Sequence, residues 1–187
     1  MRARLLEAAA RHFAAAGIDG SSIDAISLAA GCAKGTIYNY FRSKDELIGA
    51  VLEESSRRAA ERFTADDVAG RHTRRRLAAL AAADVALLRE HEDFYKVVIR
   101  EALKFRPEVQ AAAVGHLGPF LAAVERILAD GRRRGEVGSE SSDGELALLF
   151  VGLLALLYGQ RWASDGAWPT LEAIPDLVAD FFLDGAR

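Results

Sequence analysis

The sequence has little of what disulfide scaffolds and metal sites require. Its single cysteine, Cys32, excludes an intramolecular disulfide framework and a cysteine-based zinc site. Only four prolines occur in 187 residues, and the abundance of alanine favours helix over sheet. The four histidines, His12, His72, His91 and His116, show no metal-ligand spacing with one another. We therefore predict a protein without a metal and without a cofactor.

Long apolar runs and a strong net charge are also missing. The longest apolar run, residues 146–159, is too short for a membrane span and suits a buried helix. The N-terminus is amphipathic, contains Glu7, and does not resemble a secretory signal. The formal net charge is −3, from 24 basic and 27 acidic residues, which taken alone argues against a nucleic-acid binder. We expect a cytoplasmic protein with no membrane partner.

Helical periodicity extends through almost the whole chain, so the predicted fold class is all-α. We find no strand alternation, internal repeat or low-complexity tract, and 51% apolar residues suffice for a sizeable core. About nine helices are expected, most of them bounded by glycines or capping serines. They cover about 2–16, 23–30, 34–40, 43–63, 73–90, 92–105, 107–134 (broken or kinked near Gly118), 143–164 and 175–184.

Three short helices near the N-terminus match a helix-turn-helix arrangement. The second and third helices, over about 22–41, are joined by a turn at Gly31, where a residue that tolerates positive φ is needed. Ser21 and Ser22 supply the start of the second helix, with Asp24 placed as a capping-box acid. The third helix is then a recognition helix for the major groove of DNA.

The recognition helix has a clear division between core and surface positions. Ile37 and Phe41 are four residues apart and face the core together. Tyr38 and Tyr40 are two apart, so at least one of them is exposed. Lys44, in the first turn of helix four, is poorly placed for the helix dipole and is better explained by a phosphate partner. The predicted DNA contacts are Ser22, Lys34, Gly35, Thr36, Tyr38, Asn39, Tyr40 and Lys44.

From Ala8 to Leu47 the chain resembles the TetR family of bacterial transcriptional regulators. The matching residues include Ala8-Ala9, Phe13, Gly17, Ser21-Ser22, Ile26, Ala30-Gly31, Gly35-Thr36-Ile37-Tyr38, Tyr40-Phe41 and Ser43-Lys44-Asp45-Glu46-Leu47. The resemblance implies a DNA-binding domain over residues 1–47. It also implies an all-helical domain over 48–187 that dimerises and often binds a small molecule. The segment from Phe94 to Pro107 more weakly resembles the AefR-like subgroup of C-terminal domains.

One departure from the family pattern affects the recognition helix. Ala33 replaces a serine that looks like the N-cap of this helix in the family. Loss of such a cap typically costs about 0.5–2 kcal/mol of helix stability. We therefore expect a recognition helix that frays in the absence of DNA.

The larger domain contains polar and aromatic residues on otherwise apolar helices. Asp84 falls on the apolar face of helix five, where a carboxylate needs a partner or a pocket. A satisfied polar group in the core explains each of these residues equally well. A mostly apolar lining favours a hydrophobic small-molecule effector. The candidate pocket residues are Asp84, Tyr95, Glu101, His116, Phe120, Tyr158 and Trp162.

Helix eight lacks a clear polar face, so it has to be covered on opposite sides. Its own domain covers one side, and a two-fold mate covers the other in a four-helix interface. The alternative is a central core helix in a monomer. The candidate dimer residues are Leu149, Leu153, Leu156, Leu157, Leu177, Phe181 and Phe182.

The sequence predicts a DNA-binding regulator rather than an enzyme, since no nucleophile–base pair, metal cluster or phosphate loop supports catalysis. We expect a ligand-responsive repressor that binds a palindromic double-stranded operator as a homodimer, at the nucleoid when bound. The alternative is an all-helical small-molecule-binding protein that does not bind DNA. Residues 1–50 hold six basic and five acidic residues, so DNA contact depends on a few well-placed groups. Non-specific binding should therefore be weak.

Overall fold

The computed structural model describes residues 1–65, 72–102 and 114–185, and within these ranges the regular structure is entirely α-helical. The predicted all-α fold class is therefore confirmed. The helices are α1 (Arg2–Gly20), α2 (Ile23–Ala29), α3 (Lys34–Ile37), α4 (Lys44–Ala65), α5 (Thr73–Glu90), α6 (Glu92–Ala102), α7 (Gly118–Arg133), α8 (Asp143–Ala163) and α9 (Ile174–Gly185).

Several boundaries differ from the sequence prediction, and α1 extends to Gly20 rather than ending near residue 16. Helix α3 ends at Ile37 rather than near residue 40, and a turn follows it. The long predicted helix over 107–134 is interrupted at Leu117, and α7 begins at Gly118, with Pro119 in its first turn. Proline fits there because the first N–H groups of a helix have no intrahelical acceptor.

The chain folds into two compact units. The first contains residues 1–55 and 88–117, and the second contains 56–87 and 118–187. The helices α4 and α5 therefore contribute residues to both units. The predicted functional boundary after residue 47 lies inside the first unit.

The first unit is built on α1, which packs against α6 and α2. Phe13 of α1 and Phe94 of α6 are both buried, with ring centroids 6.4 Å apart. Burial of each large apolar side chain stabilises the fold by about 1.5–3 kcal/mol. Near its end α1 bends at Gly17, the predicted stop, where φ is 73°. This core fixes the positions of α2 and α3.

The second unit packs α7 and α9 against α8. Phe150 and Phe182 meet edge to face, with centroids 5.3 Å apart. Ser142 and Glu145 form the predicted capping box at the start of α8. By length and composition α8 is long and apolar enough to cross a membrane, at a mean hydropathy of 1.6. Core helices of soluble proteins share this length and hydropathy.

Candidate nucleic-acid interface

The turn between α2 and α3 is closed by the glycine that the sequence singled out. Gly31 has φ of 66°, its N–H donates to the Leu28 carbonyl (2.9 Å), and the Cys32 N–H donates to the Ser27 carbonyl (3.0 Å). This is the Schellman pattern of a helix end. The Arg4 guanidinium donates to the carbonyl of Ala30, the C-cap of α2 (2.8 Å), and so ties the turn to α1.

The start of α2 corrects one detail of the capping prediction. Ser22 is the N-cap, and its hydroxyl accepts from the Ala25 N–H (3.1 Å). Ser21 is buried and closes α1 instead, because its hydroxyl donates to the Gly17 carbonyl (2.6 Å). Asp24, expected to complete a capping box, forms an ion pair with the recognition helix. Ser22 keeps an exposed hydroxyl that can also donate to a phosphate.

The recognition helix α3 is short and lacks a side-chain cap at its N-terminus. Its N-cap is Ala33, which makes no side-chain hydrogen bond, as the departure from the family pattern predicted. Ile37 and Phe41 are buried together and anchor α3 to the core. The N–H groups of Tyr40 and Phe41 both donate to the Ile37 carbonyl (3.0 Å each), so the chain stays coiled beyond α3.

The remaining side chains of this segment are accessible to solvent. Tyr38 is 49% exposed and Tyr40 is 42% exposed, so neither ring belongs to the core. Lys34 and Asn39 are exposed, and Thr36 is half-buried. Apart from the adjoining residues and the backbone of α3 itself, no heavy atom lies within 4 Å of the place where a Cβ on Gly35 would stand. Hydroxyl, amide and ammonium groups of this kind bind phosphates and base edges.

Lys34 has an acidic partner on α2. Its Nζ lies 2.6 Å from Asp24 Oδ2, with both side chains largely exposed. The hydrogen bond and the charge of Asp24 raise the pKa of Lys34 above its ordinary value. The Asp24 carboxylate therefore favours the protonated form of Lys34.

Lys44 has a structural partner that sequence reasoning missed. Its Nζ donates to the carbonyls of Ile18 (2.9 Å) and Ser21 (3.3 Å), at the end of α1. These acceptors explain a cation in the first turn of α4, which the sequence prediction ascribed to phosphate. The ammonium has a third N–H, so phosphate contact by Lys44 stays a prediction. A lysine contacting carbonyls 26 and 23 residues earlier has no local sequence signal.

Three predicted pocket residues meet in the second unit. The buried Tyr158 hydroxyl donates to the Asp84 carboxylate (2.6 Å), and the Tyr158 and Trp162 ring centroids are 6.3 Å apart. Phe120 is buried in the same unit, and its N–H donates to the Ser56 hydroxyl (2.9 Å). The carboxylate expected on the apolar face of α5 thus has a partner in Tyr158.

The other predicted pocket residues lie elsewhere. Tyr95 packs against the core of the first unit. His116 is in that unit too, with its ring against α4 at Gly49. The side chain of Glu101 lies outside the described residues. We keep the pocket assignment as a prediction.

A cleft of about 470 Å³ in the second unit is lined by other residues than those predicted. At its edge Glu136 accepts from the Thr73 N–H (2.7 Å) and lies 3.0 Å from His72 Nδ1. Hydrogen bonds from Thr73, His72 and Arg134 hold the pKa of Glu136 well below its usual range. Glu136 therefore caps α5 from a loop that is distant in sequence, and no local sequence motif predicts this contact.

The predicted dimer residues fall into two groups. Leu149, Leu156 and Phe181 are 61%, 67% and 67% exposed. Leu153 and Leu177 are half-buried. By contrast, Leu157 and Phe182 are each 7% exposed and pack inside their own unit. Only the first five offer surface to a partner.

Among the described residues, no group of three or more histidine, cysteine or acidic side chains is placed to hold a metal ion.

Comparisons with known proteins agree with this geometry. The sequence model of bacterial regulatory proteins of the tetR family matches residues 5–51. The fatty acid metabolism regulator protein of Bacillus subtilis (strain 168) is 26% identical over 144 residues, covering 77% of this chain and 74% of that protein.

Solved structures match over the whole chain. The transcriptional regulator FadR from Bacillus subtilis, in complex with stearoyl-CoA, has a TM-score of 0.83 at 21% identity and covers 100% of both chains. The fatty acid degradation regulator FadR from Bacillus halodurans gives the same TM-score, identity and coverage. Over residues 5–51 the chain is thus similar to bacterial regulatory proteins of the tetR family, and with its helix-turn-helix it is a DNA-binding transcriptional regulator.

Proposed function

We propose that this protein is a homodimeric, ligand-responsive repressor that binds a near-palindromic operator in the cytoplasm, at the nucleoid. The observation that carries the proposal is the α3 segment. Its buried residues Ile37 and Phe41 anchor it, while Lys34 of α3 and Tyr38 and Tyr40 of the following turn stay exposed. A recognition helix needs this combination to enter the major groove.

Dimerisation is supported by the exposed apolar residues of α8 and α9. Leu149, Leu156 and Phe181 are each more than 60% exposed, and Leu153 and Leu177 extend the same two helices. Soluble monomers rarely expose large contiguous apolar patches. A two-fold mate would cover these side chains and place two recognition helices on successive major grooves, about 34–36 Å apart.

We propose a long-chain acyl thioester as the effector class. The support is the Bacillus subtilis FadR structure, which is described with stearoyl-CoA, and the similarity of this chain to a fatty acid metabolism regulator. The second unit supplies a polar group beside aromatic rings at Asp84, Tyr158 and Trp162. Such an effector acts only through its different affinities for the DNA-competent and DNA-free states.

The test is a titration of the purified protein against DNA from its own upstream region, followed by fluorescence anisotropy. We expect specific binding with a steep salt dependence, and release by stearoyl-CoA but not by free CoA. Failure to bind any such fragment at low salt would contradict the repressor proposal. Binding that stearoyl-CoA leaves unchanged would contradict only the effector class.

A further inference from the structure

The ion pair between Asp24 and Lys34 lies on the surface expected to face DNA, and fold stability does not explain it. Both side chains are largely exposed, 51% for Asp24 and 69% for Lys34. Exposed ion pairs add little to stability. Lys34 is also the first residue of α3, where the helix dipole disfavours a cation. The pair therefore calls for a functional reason.

A carboxylate next to DNA has an electrostatic consequence. Lys34 is the cation of α3, and Asp24 neutralises it at 2.6 Å. Phosphates repel Asp24, so the pair weakens attraction to DNA of any sequence. A base edge that donates a hydrogen bond to the carboxylate offsets this loss, and cytosine N4 is such a donor.

The pair presents hydrogen-bond donors directly beside an acceptor. Lys34 bonded to Asp24 keeps two further N–H donors, and the carboxylate keeps free lone pairs. In the major groove a G·C pair offers two acceptors, guanine N7 and O6, beside one donor, cytosine N4. O6 and N4 are about 2.9 Å apart, because they are hydrogen-bonded to each other. That spacing is close to the 2.6 Å between Lys34 Nζ and Asp24 Oδ2.

We infer that Asp24 and Lys34 together read one G·C base pair in each operator half-site. Asp24 accepts from cytosine N4, and Lys34 donates to guanine O6 and N7. In an A·T pair the donor, adenine N6, lies between two acceptors, adenine N7 and thymine O4. With Asp24 on N6, Lys34 reaches only one of these acceptors, and one of its N–H groups stays unpaired. The inference rests on the proposed DNA binding and adds the residues that set one position of the operator.

The experiment is selection from randomised DNA duplexes by the full-length wild type, Asp24→Ala and Glu7→Ala. Glu7 is the matched control, since it is an exposed carboxylate paired with Arg11 on α1, outside α2 and α3. Thermal melting checks that each variant is folded. We expect a G·C pair in each wild-type half-site, and Asp24→Ala should lose about five- to tenfold of the preference at that one position. It should also bind non-cognate DNA severalfold more tightly at low salt.

The outcomes separate the inference from the proposed function. Glu7→Ala should retain the wild-type motif. If Asp24→Ala selects the wild-type motif with unchanged weights, the inference is wrong while DNA binding stands. A wild-type motif without a G·C pair in its half-sites also overturns the inference. If the wild type selects no sequence at all, the inference and the proposed function both fail.

Discussion

The imidazole ring of His116 packs directly on the backbone of α4 at Gly49. A Cβ at Gly49 would have three ring atoms of His116 within 2.8 Å, which is closer than real Cβ contacts. Gly49 is buried and His116 is half-buried, so the ring has limited room to move away. Glycine at residue 49 thus provides the space that His116 occupies in the first unit.

We predict that Gly49→Ala destabilises the protein by about 1–3 kcal/mol, the usual cost of overpacking. Without the clash, replacing glycine by alanine in a helix interior would increase stability by about 0.5–1 kcal/mol. The measurement is denaturant unfolding of Gly49→Ala, His116→Ala and the double variant. In the double variant the ring is absent, so alanine at residue 49 should no longer cause most of this loss of stability. A Gly49→Ala variant as stable as wild type would show that the ring is free to shift.

Gly35→Ala should separate DNA binding from stability. Because no atom lies within 4 Å of a Cβ at this residue, the free protein should be as stable as wild type or slightly more stable. A close approach of the α3 backbone to DNA would leave no room for the methyl group. We expect operator affinity to fall about tenfold or more, measured by anisotropy. Unchanged affinity would place residue 35 away from DNA.

Lys44→Ala should affect both stability and DNA binding. It removes the hydrogen bonds to the Ile18 and Ser21 carbonyls, at about 0.5–1.5 kcal/mol each. If the ammonium also contacts a phosphate, affinity falls about equally for all sequences and the salt slope decreases by about 1. Thermal melts and a salt titration measure the two effects separately. A lower melting temperature with an unchanged salt slope would assign Lys44 to the fold alone.

Leu156→Glu should dissociate the proposed dimer. Leu156 is 67% exposed, and a charge there opposes burial against a two-fold mate. Analytical ultracentrifugation should show a monomer with greatly reduced operator affinity. Leu157→Ala is the neighbouring control, because Leu157 is buried in its own unit and its truncation should lower stability without changing the oligomeric state. A dimeric Leu156→Glu protein would place the interface elsewhere.

Glu136→Gln should change how stability depends on pH. Hydrogen bonds from Thr73 lower the pKa of Glu136 in the folded protein. The stabilisation by its charge is therefore present above the ordinary glutamate pKa of about 4.3, and it is lost as the pH falls below that value. The gap in unfolding free energy between wild type and variant should be large at pH 7 and shrink in acid. Glu140→Gln, at an exposed residue, serves as control; a gap independent of pH would contradict the prediction.

The local features of the fold were predictable because their causes lie close together in the sequence. The turn at Gly31, the buried pair Ile37 and Phe41, and the capping box of Ser142 with Glu145 each depend on residues within five positions of one another. Periodicity and capping chemistry report such neighbours directly. The resemblance to the TetR family over the segment from Ala8 to Leu47 then predicted a DNA-binding regulator.

The features that sequence reasoning missed join distant residues. The Lys44 ammonium contacts carbonyls more than twenty residues away, and Glu136 caps a helix that begins 63 residues earlier. Leu156 is exposed and Leu157 is buried, and this difference depends on how α8 is rotated against its neighbours. A helix that is apolar all round does not reveal that rotation in its sequence.

The two hydrogen bonds donated by Lys44 Nζ connect three elements of the first unit. The ammonium belongs to the first residue of α4, and its acceptors are the end of α1 and the residue just before the N-cap of α2. A displacement of α4 away from α1 and α2 would stretch both bonds unless the Lys44 side chain extended to follow its acceptors. Lys44 thus ties the start of α4 to the end of α1 and to the residue that precedes α2.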